Sequence, residues 1–504
     1  MCRLAVRMAL GFVIGLFSLQ GSGREPIRAP MSDGHLQKVK SYVERDPVPE
    51  YQHASEAAYE NFRDLKFGIR IHWGVYALWA KDDASWTLYH ASREEKQQYN
   101  ELYKSWKPKA FDAEEWMRFF ERSGIRIFAF TTKHCDGFSM FDTKTRVKMR
   151  ANWTAPGGPR IEPCDLAYSI MESPFRRDVV KELCDAAHRH DMKIDLYFSH
   201  LDWYDADFRD CYMSPLGAFG KAAPAERARM MKRHRQQLTE LLSNYGKIDT
   251  ICLDEWLDKE AWPTLRETML QLRKLQPDVM FRARGIGNYG DYYTPEGFVP
   301  GAKEDTNMPW MVIYPLGNHF SYQKSDHFKG SQWIITNLID AVAKGGNFMP
   351  AIGPDENGRF DREAMRQFEA AGAWLRVNGE AIYATRPREG TLWKEGDNVR
   401  LTRSKNNKTV YALCLKWPGK RLTLKTVRPE VGSAITMLGV EKPLRWRFDG
   451  AKGLVIDLPE RLQDEKNRPC TAAWAVKIRR VAVGPAADVG SQSTEQFRDH
   501  VTRR

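Results

Sequence analysis

FDAEEWMRFFERSGIRIFAFTTKH, Phe111 to His134, holds one complete helix-then-strand unit. Asp112 offers a side-chain oxygen to cap a helix, and Glu114 and Glu115 put negative charge in its first turn. Trp116, Phe119 and Phe120 recur at helical spacing, and Gly124 ends the run. Ile125–Thr131 then reads as a strand buried on both faces, because it is continuously apolar rather than alternating. Beyond its end stand Lys133-His134-Cys135-Asp136-Gly137-Phe138, polar and aromatic residues delivered by an apolar strand.

The same rhythm extends in both directions. Strands are expected at Phe67–Trp73, Lys193–Ser199, Ile248–Leu253, Val279–Arg282, Met311–Tyr314 and Asn347–Ile352. Helices are expected from Asp178, over Glu226–Tyr245, Trp333–Val342 and Arg362–Val377. Seven or eight strand–helix repeats point to an α/β fold, a (β/α) TIM-like barrel. After about Arg386 the helical period stops. Val399–Thr402, Thr409–Leu415, Arg421–Leu424, Gly453–Leu458 and Ala472–Ile478 read as short strands between turns at Gly396-Asp397, Asn406-Asn407 and Pro418-Gly419. That implies a separate C-terminal β-sandwich. The expected division is 1–22 signal peptide, 23–60 N-terminal segment, 61–385 barrel, 386–482 sandwich and 483–504 disordered tail.

The N-terminus reads as an export signal: Arg3 and Arg7, the apolar run Met8–Leu19, then Gly21-Ser22-Gly23. The mature chain is expected to be periplasmic or extracellular, with no membrane span. The eight cysteines are scattered, without CxxC pairs or zinc spacing, so neither a disulfide scaffold nor a metal site is expected. The net charge of +12 is spread along the chain without a basic stripe, which argues against nucleic acid. No cofactor is expected.

In a (β/α) barrel, reactive groups sit at the C-terminal ends of strands. Here four strand ends carry His72-Trp73-Gly74, Lys133–Phe138, Ser199-His200-Leu201-Asp202-Trp203 and Asp254-Glu255-Trp256. Hydroxyl-bonding groups beside aromatic faces suit a sugar. Phe67–Gly74, Phe111–Trp116, Thr131–Phe138, Tyr197–Trp203, Tyr245-Gly246 with Asp249 and Asp254, Lys344–Asn347 with Gly353-Pro354, and Gly379–Tyr383 resemble, in order, the segments of glycoside hydrolase family 29, the α-L-fucosidases.

That resemblance implies a retaining exo-glycosidase acting on fucosylated oligosaccharides or polysaccharides through two carboxyl groups about 5–5.5 Å apart. Asp254, ending an apolar strand, is the expected nucleophile. Glu255 is its neighbouring alternative, but alternation along a strand should keep the two out of one pocket. Glu296, in Thr294-Pro295-Glu296, is expected as the acid and base in preference to Glu304. Such an acid should be held protonated near neutral pH. His72, Trp86, His134, Tyr197, Arg284 and Phe320 are the expected sugar-binding residues by resemblance.

Three positions depart from the family pattern: Cys135 where many members have a second histidine, Ser85 where they have glutamate, and Cys252 where some have an aromatic residue. These changes keep an α-L-galactosidase or related α-L-glycosidase open as the alternative, beside a non-catalytic glycan-binding protein on the same barrel.

Overall fold

Seven parallel strands form the barrel sheet: β1 Gly68–Ile71, β2 Ile127–Lys133, β3 Lys193–Ser199, β4 Thr250–Asp254, β5 Met280–Phe281, β6 Met311–Pro315 and β7 Asn347–Ile352. The computed structural model describes residues 27–30, 33–209, 211–297, 299–300 and 306–481. The expected signal peptide, the disordered tail and Glu304 therefore lie outside the described residues. Strand order is β5-β4-β3-β2-β1-β7-β6. The two open edges are spanned by single parallel bridges from the segment after β5: Arg282 with Tyr292, Tyr293 with Trp310, and Glu296 with Ile313. An irregular stretch thus occupies the place of an eighth strand, and it carries Glu296.

The helices follow the local signals. Asp112 accepts from the Glu115 N–H at 3.0 Å and caps α1, Ala113–Arg122. Asp178 accepts from the Lys181 N–H at 2.8 Å and caps α2, Val179–Arg189. Each such cap is worth about 1 kcal/mol. α1 buries Trp116, Met117, Phe119 and Phe120 against the sheet. Then come α3 Pro224–Ser243, α4 Trp262–Leu275, α5 Ser331–Ala343 and α6 Arg362–Asn378. α4 was not expected from the sequence, nor was a hairpin of Val147–Asn152 with Arg160–Leu166.

The N-terminal segment, expected as a plain polar lead-in, contains short helices at Gly34–Val39 and Glu56–Leu65. The second buries Tyr59, Phe62 and Leu65 against the barrel.

The C-terminal unit pairs a six-stranded sheet with a three-stranded one. The larger includes β8 Val399–Arg403, β9 Thr409–Cys414, β11 Ile435–Met437 and β14 Trp474–Arg479; the smaller is β10 Arg421–Leu424, β13 Gly453–Asp457 and β12 Arg445–Asp449. It is a sandwich, but not a separate one. On β9, Val410, Ala412 and Cys414 enter the sandwich core, while Tyr411 and Leu413 join the barrel's core. The period of two along one strand serves two interiors.

Candidate active site

Asp254 is the last residue of β4, in register with Ser199 of β3. Its Oδ2 accepts from the Tyr197 hydroxyl at 2.7 Å, and its Oδ1 from Arg284 Nη1 at 2.7 Å and Arg282 Nη1 at 3.1 Å. Burial pushes the carboxyl up. The guanidiniums of Arg284, Arg282 and Arg70 outweigh that and hold it well below the usual carboxylate range. Asp254 is therefore ionised, rigidly aimed and still 13% exposed.

Glu296 stands on the other side of the same arginines. Its Oε1 accepts from Arg284 Nη2 at 2.7 Å and Arg282 Nη2 at 3.1 Å. One guanidinium reaching both carboxylates brings them to opposite nitrogens of a single planar group. Against the expectation, Glu296 is not held protonated. Burial raises its pKa, but Arg284 and Arg282 bring it below its ordinary value.

The carboxyl that is raised is Glu255, to about 8, by burial and then by the Asp254 charge. Glu255 follows the end of β4 with φ 61°, so the strand's period of two does not govern where its side chain lies. Gly285, at φ 75°, lies against it: an added Cβ would meet the Glu255 carbonyl oxygen at 2.9 Å and the His200 ring at 2.7 Å.

The expected sugar-binding residues largely converge. His72, at the end of β1, has its ring 5.6 Å from His134, 5.6 Å from Tyr197 and 5.4 Å from Phe320. His134 stacks on Tyr197 at 5.4 Å and 14°. Burial holds His72 well below its ordinary pKa and lowers His134 to about 4, so both are neutral, each with one donor and one acceptor nitrogen. His72 Nδ1 is buried with no hydrogen-bond partner in the protein. His134 Nδ1 meets the Ser85 hydroxyl at 2.5 Å. Ser85 is thus held against His134 at the edge of this cluster. Trp86 follows Ser85 at the rim, its ring 5.3 Å from Trp203 and 6.0 Å from Tyr89. Phe320 is fixed by its backbone N–H, which donates to Asp83 Oδ1 at 3.0 Å.

Sequence reasoning missed the layer beneath. Arg70 lies two residues before His72 on the same face of β1, and Arg282 two before Arg284. Both point at Cys252, with Arg70 Nη1 at 3.2 Å and Arg282 Nη1 at 3.4 Å from its Sγ. The Arg70 guanidinium also covers the Tyr197 ring at 4.8 Å. A charged residue inside an apolar strand was the available signal.

Cys135 contacts the Ser199 hydroxyl at 3.2 Å, and burial keeps its thiol protonated. Behind it, buried Lys133 and Arg233 pair with buried Asp202, while Tyr99 donates to Asp136 at 2.7 Å. These ion pairs support the β2 and β3 ends from below. Among the described residues no cluster of His, Cys, Asp and Glu could hold a metal, and no helix is long and apolar enough to cross a membrane.

The chain matches the family described as alpha-L-fucosidase over residues 37–380, and the alpha-L-fucosidase C-terminal domain over 394–479. It is 28% identical over 449 residues to human tissue alpha-L-fucosidase, covering 83% of this chain and 89% of that one. It is 27% identical over 456 residues to the plasma alpha-L-fucosidase of Pongo abelii, covering 83% and 90%. Among solved structures it resembles alpha-L-fucosidase isoenzyme 1 of Paenibacillus thiaminolyticus, with TM-score 0.70 and 24% identity over 85% of this chain and 99% of that one. It also resembles a Bacteroides thetaiotaomicron family 29 alpha-L-fucosidase trapped as a covalent intermediate with 2-fluoro-fucosyl fluoride. There the TM-score is 0.69 and the identity 22%, over 88% and 99% of the chains.

Proposed function

The chain belongs to the α-L-fucosidase family, and we propose that it releases terminal α-L-fucose from glycans by double displacement, with Asp254 as nucleophile and Glu296 as acid and base. The observation that carries this reading is the Arg284 guanidinium shared by both carboxylates. In the first step, taken by the fraction of enzyme in which Glu296 carries its proton, an Asp254 oxygen bonds to the anomeric carbon, the glycosidic C–O bond breaks, and the leaving oxygen takes that proton. The ester so formed carries no charge, so Arg284 and Arg282 then face Glu296 alone. That favours its carboxylate, the form needed to take a proton from the water that attacks the anomeric carbon and frees Asp254. His72 and His134 bind ring hydroxyls, and Phe320 packs against the sugar's apolar 5-methyl.

Asp254→Ala is expected to lower kcat on an aryl α-L-fucoside by about 10³-fold or more. Early-time NMR of the wild-type product should show the α-anomer first. With azide, the Glu296→Ala variant should yield the α-fucosyl azide and the Asp254→Ala variant the β-fucosyl azide. Exchanged outcomes would exchange the two roles, and a β-sugar as first product would remove the retaining mechanism.

We propose that the mature protein works outside the cytoplasm, a reading supported by Arg3, Arg7 and the apolar run Met8–Leu19. Fractionation should find a processed chain in the periplasm or medium, and a full-length chain in the cytosol would contradict it.

A further inference from the structure

An aromatic shelf follows directly on the strand that carries the nucleophile. Trp256 lies two residues beyond Asp254, after the turn made by Glu255 at φ 61°. Its ring stacks on Tyr212 with centroids 4.2 Å apart and 28° between planes. Tyr212 is 40% exposed, as few large apolar side chains are among the described residues; the others are Leu275, Val431 and Phe448. Leu275 ends α4, and Val431 and Phe448 belong to the sandwich. The exposed Tyr212 thus leans on a ring that stands two residues from Asp254.

The third member comes from far away in sequence. His35 stands edge-on to Trp256, 6.1 Å between centroids at 71°. Asp33 accepts from the His35 N–H at 2.8 Å and lies 3.2 Å from its ring Nδ1. The segment is anchored over the loop that follows β4. The Tyr42 hydroxyl donates to the Leu257 carbonyl at 2.6 Å, and Glu44 accepts from Trp262 Nε1 at 2.8 Å and Arg266 Nη1 at 2.5 Å. The same segment is tied to the stretch after β5 that carries Glu296: the Ala29 N–H donates to Asn288 Oδ1 at 3.1 Å.

A proton donor must meet the glycosidic oxygen, so the leaving group has to lie on the donor's side of the pocket. Resting on the α-L-fucosidase reading, we propose that Trp256, Tyr212 and His35 form the subsite for the leaving-group sugar, and that it takes a neutral pyranose. The apolar face of the ring packs on the Tyr212–Trp256 pair, and His35 bonds one of its hydroxyls. The Asp33 carboxylate beside His35 disfavours a uronic acid or sulfated sugar there. The N-terminal segment, outside the barrel in sequence, is thereby part of the enzyme's selection of glycan.

The test compares α-L-fucosyl fluoride, whose leaving group has no ring, with a neutral α-L-fucosyl-N-acetylglucosamine disaccharide. For each of Tyr212→Ser, Trp256→Ala and His35→Ala, the ratio of disaccharide to fluoride kcat/KM should fall, by about tenfold for the aromatic variants. Transfer of fucose from the fluoride to added N-acetylglucosamine should weaken in parallel. An unchanged ratio in Tyr212→Ser, a surface substitution that leaves the core intact, overturns the subsite. Failure of the wild-type protein on both substrates would instead overturn the fucosidase reading itself.

Discussion

Arg284 donates from one guanidinium nitrogen to Asp254 and from the other to Glu296, and Arg282 repeats the arrangement at 3.1 Å on each side. Two cations facing two carboxylates lower both pKa values, which suits a nucleophile and a base but works against an acid. The consequence is a pH dependence. kcat/KM reports the free enzyme, in which the acid must be protonated. Glu296 sits below its ordinary value of 4.5, so its protonated fraction falls as pH rises above that point. The kcat/KM for a disaccharide should therefore decline toward a slope of about tenfold per pH unit across pH 5–8. An aryl fucoside with a good leaving group should stay nearly flat there. Glu255 supplies the contrary outcome: its carboxyl is held up to about 8. A disaccharide rate that stays level to about pH 8 and is lost in Glu255→Gln would make Glu255 the acid.

Among the elements, the N-terminal helix Glu56–Leu65 is tied to the barrel through one buried carboxylate. Asp291 accepts from the Tyr59 hydroxyl at 2.9 Å, the Ala54 N–H at 3.2 Å, Arg273 Nη2 at 2.6 Å and the Phe281 N–H at 2.9 Å, and it faces His53 Nδ1 at 3.0 Å. Burial raises its pKa, but Arg273 and His53 bring it far below 3.8. A folded-state pKa depressed below the unfolded one contributes stability that is complete above the unfolded value and lost as pH falls through the folded one. Asp291→Ala should therefore destabilise the protein by about 3–5 kcal/mol at neutral pH, because Arg273 is left buried without its partner. The difference in Tm between wild type and variant should shrink below about pH 4. A difference constant from pH 7 to pH 3 would show that Asp291 contributes through packing alone.

At the scale of the molecule, the barrel and sandwich share an interior. Trp374 of α6 donates its indole N–H to the Ala473 carbonyl at 2.9 Å, Asn378 accepts from the Ala475 N–H at 3.3 Å, and Arg400 pairs with Asp340 of α5 at 2.7 Å. Tyr411, Leu413 and Ala475 complete the barrel's apolar core. An interface made of core residues does not behave as a hinge between independent domains. The intact protein should unfold in one calorimetric transition, and a chain ending at Arg388 should be aggregated or unfolded. A soluble, active truncation would show the sandwich to be dispensable.

Sequence alone determined what short-range pattern can carry. The unit Phe111–His134 states its cap, its buried helix face, its stop and its strand within 24 residues, and Asp254 is recognisable because it ends an apolar run. Periodicity is a local property, so the barrel and the polar endings of its strands were legible. So was most of the sandwich, although Ile435–Met437 and Arg445–Asp449 were not, being too short or too polar to stand out. Tertiary structure alone decided the charge states and the membership of the site. Glu255 leaves the strand's alternation because its own backbone turns at φ 61°. The pKa of Glu296 is lowered because Arg282 and Arg284, from the stretch just after β5, reach it through space. His35 meets Trp256 across more than 200 positions of chain. Coulomb interactions and burial depend on distance in space, which the order of residues does not contain.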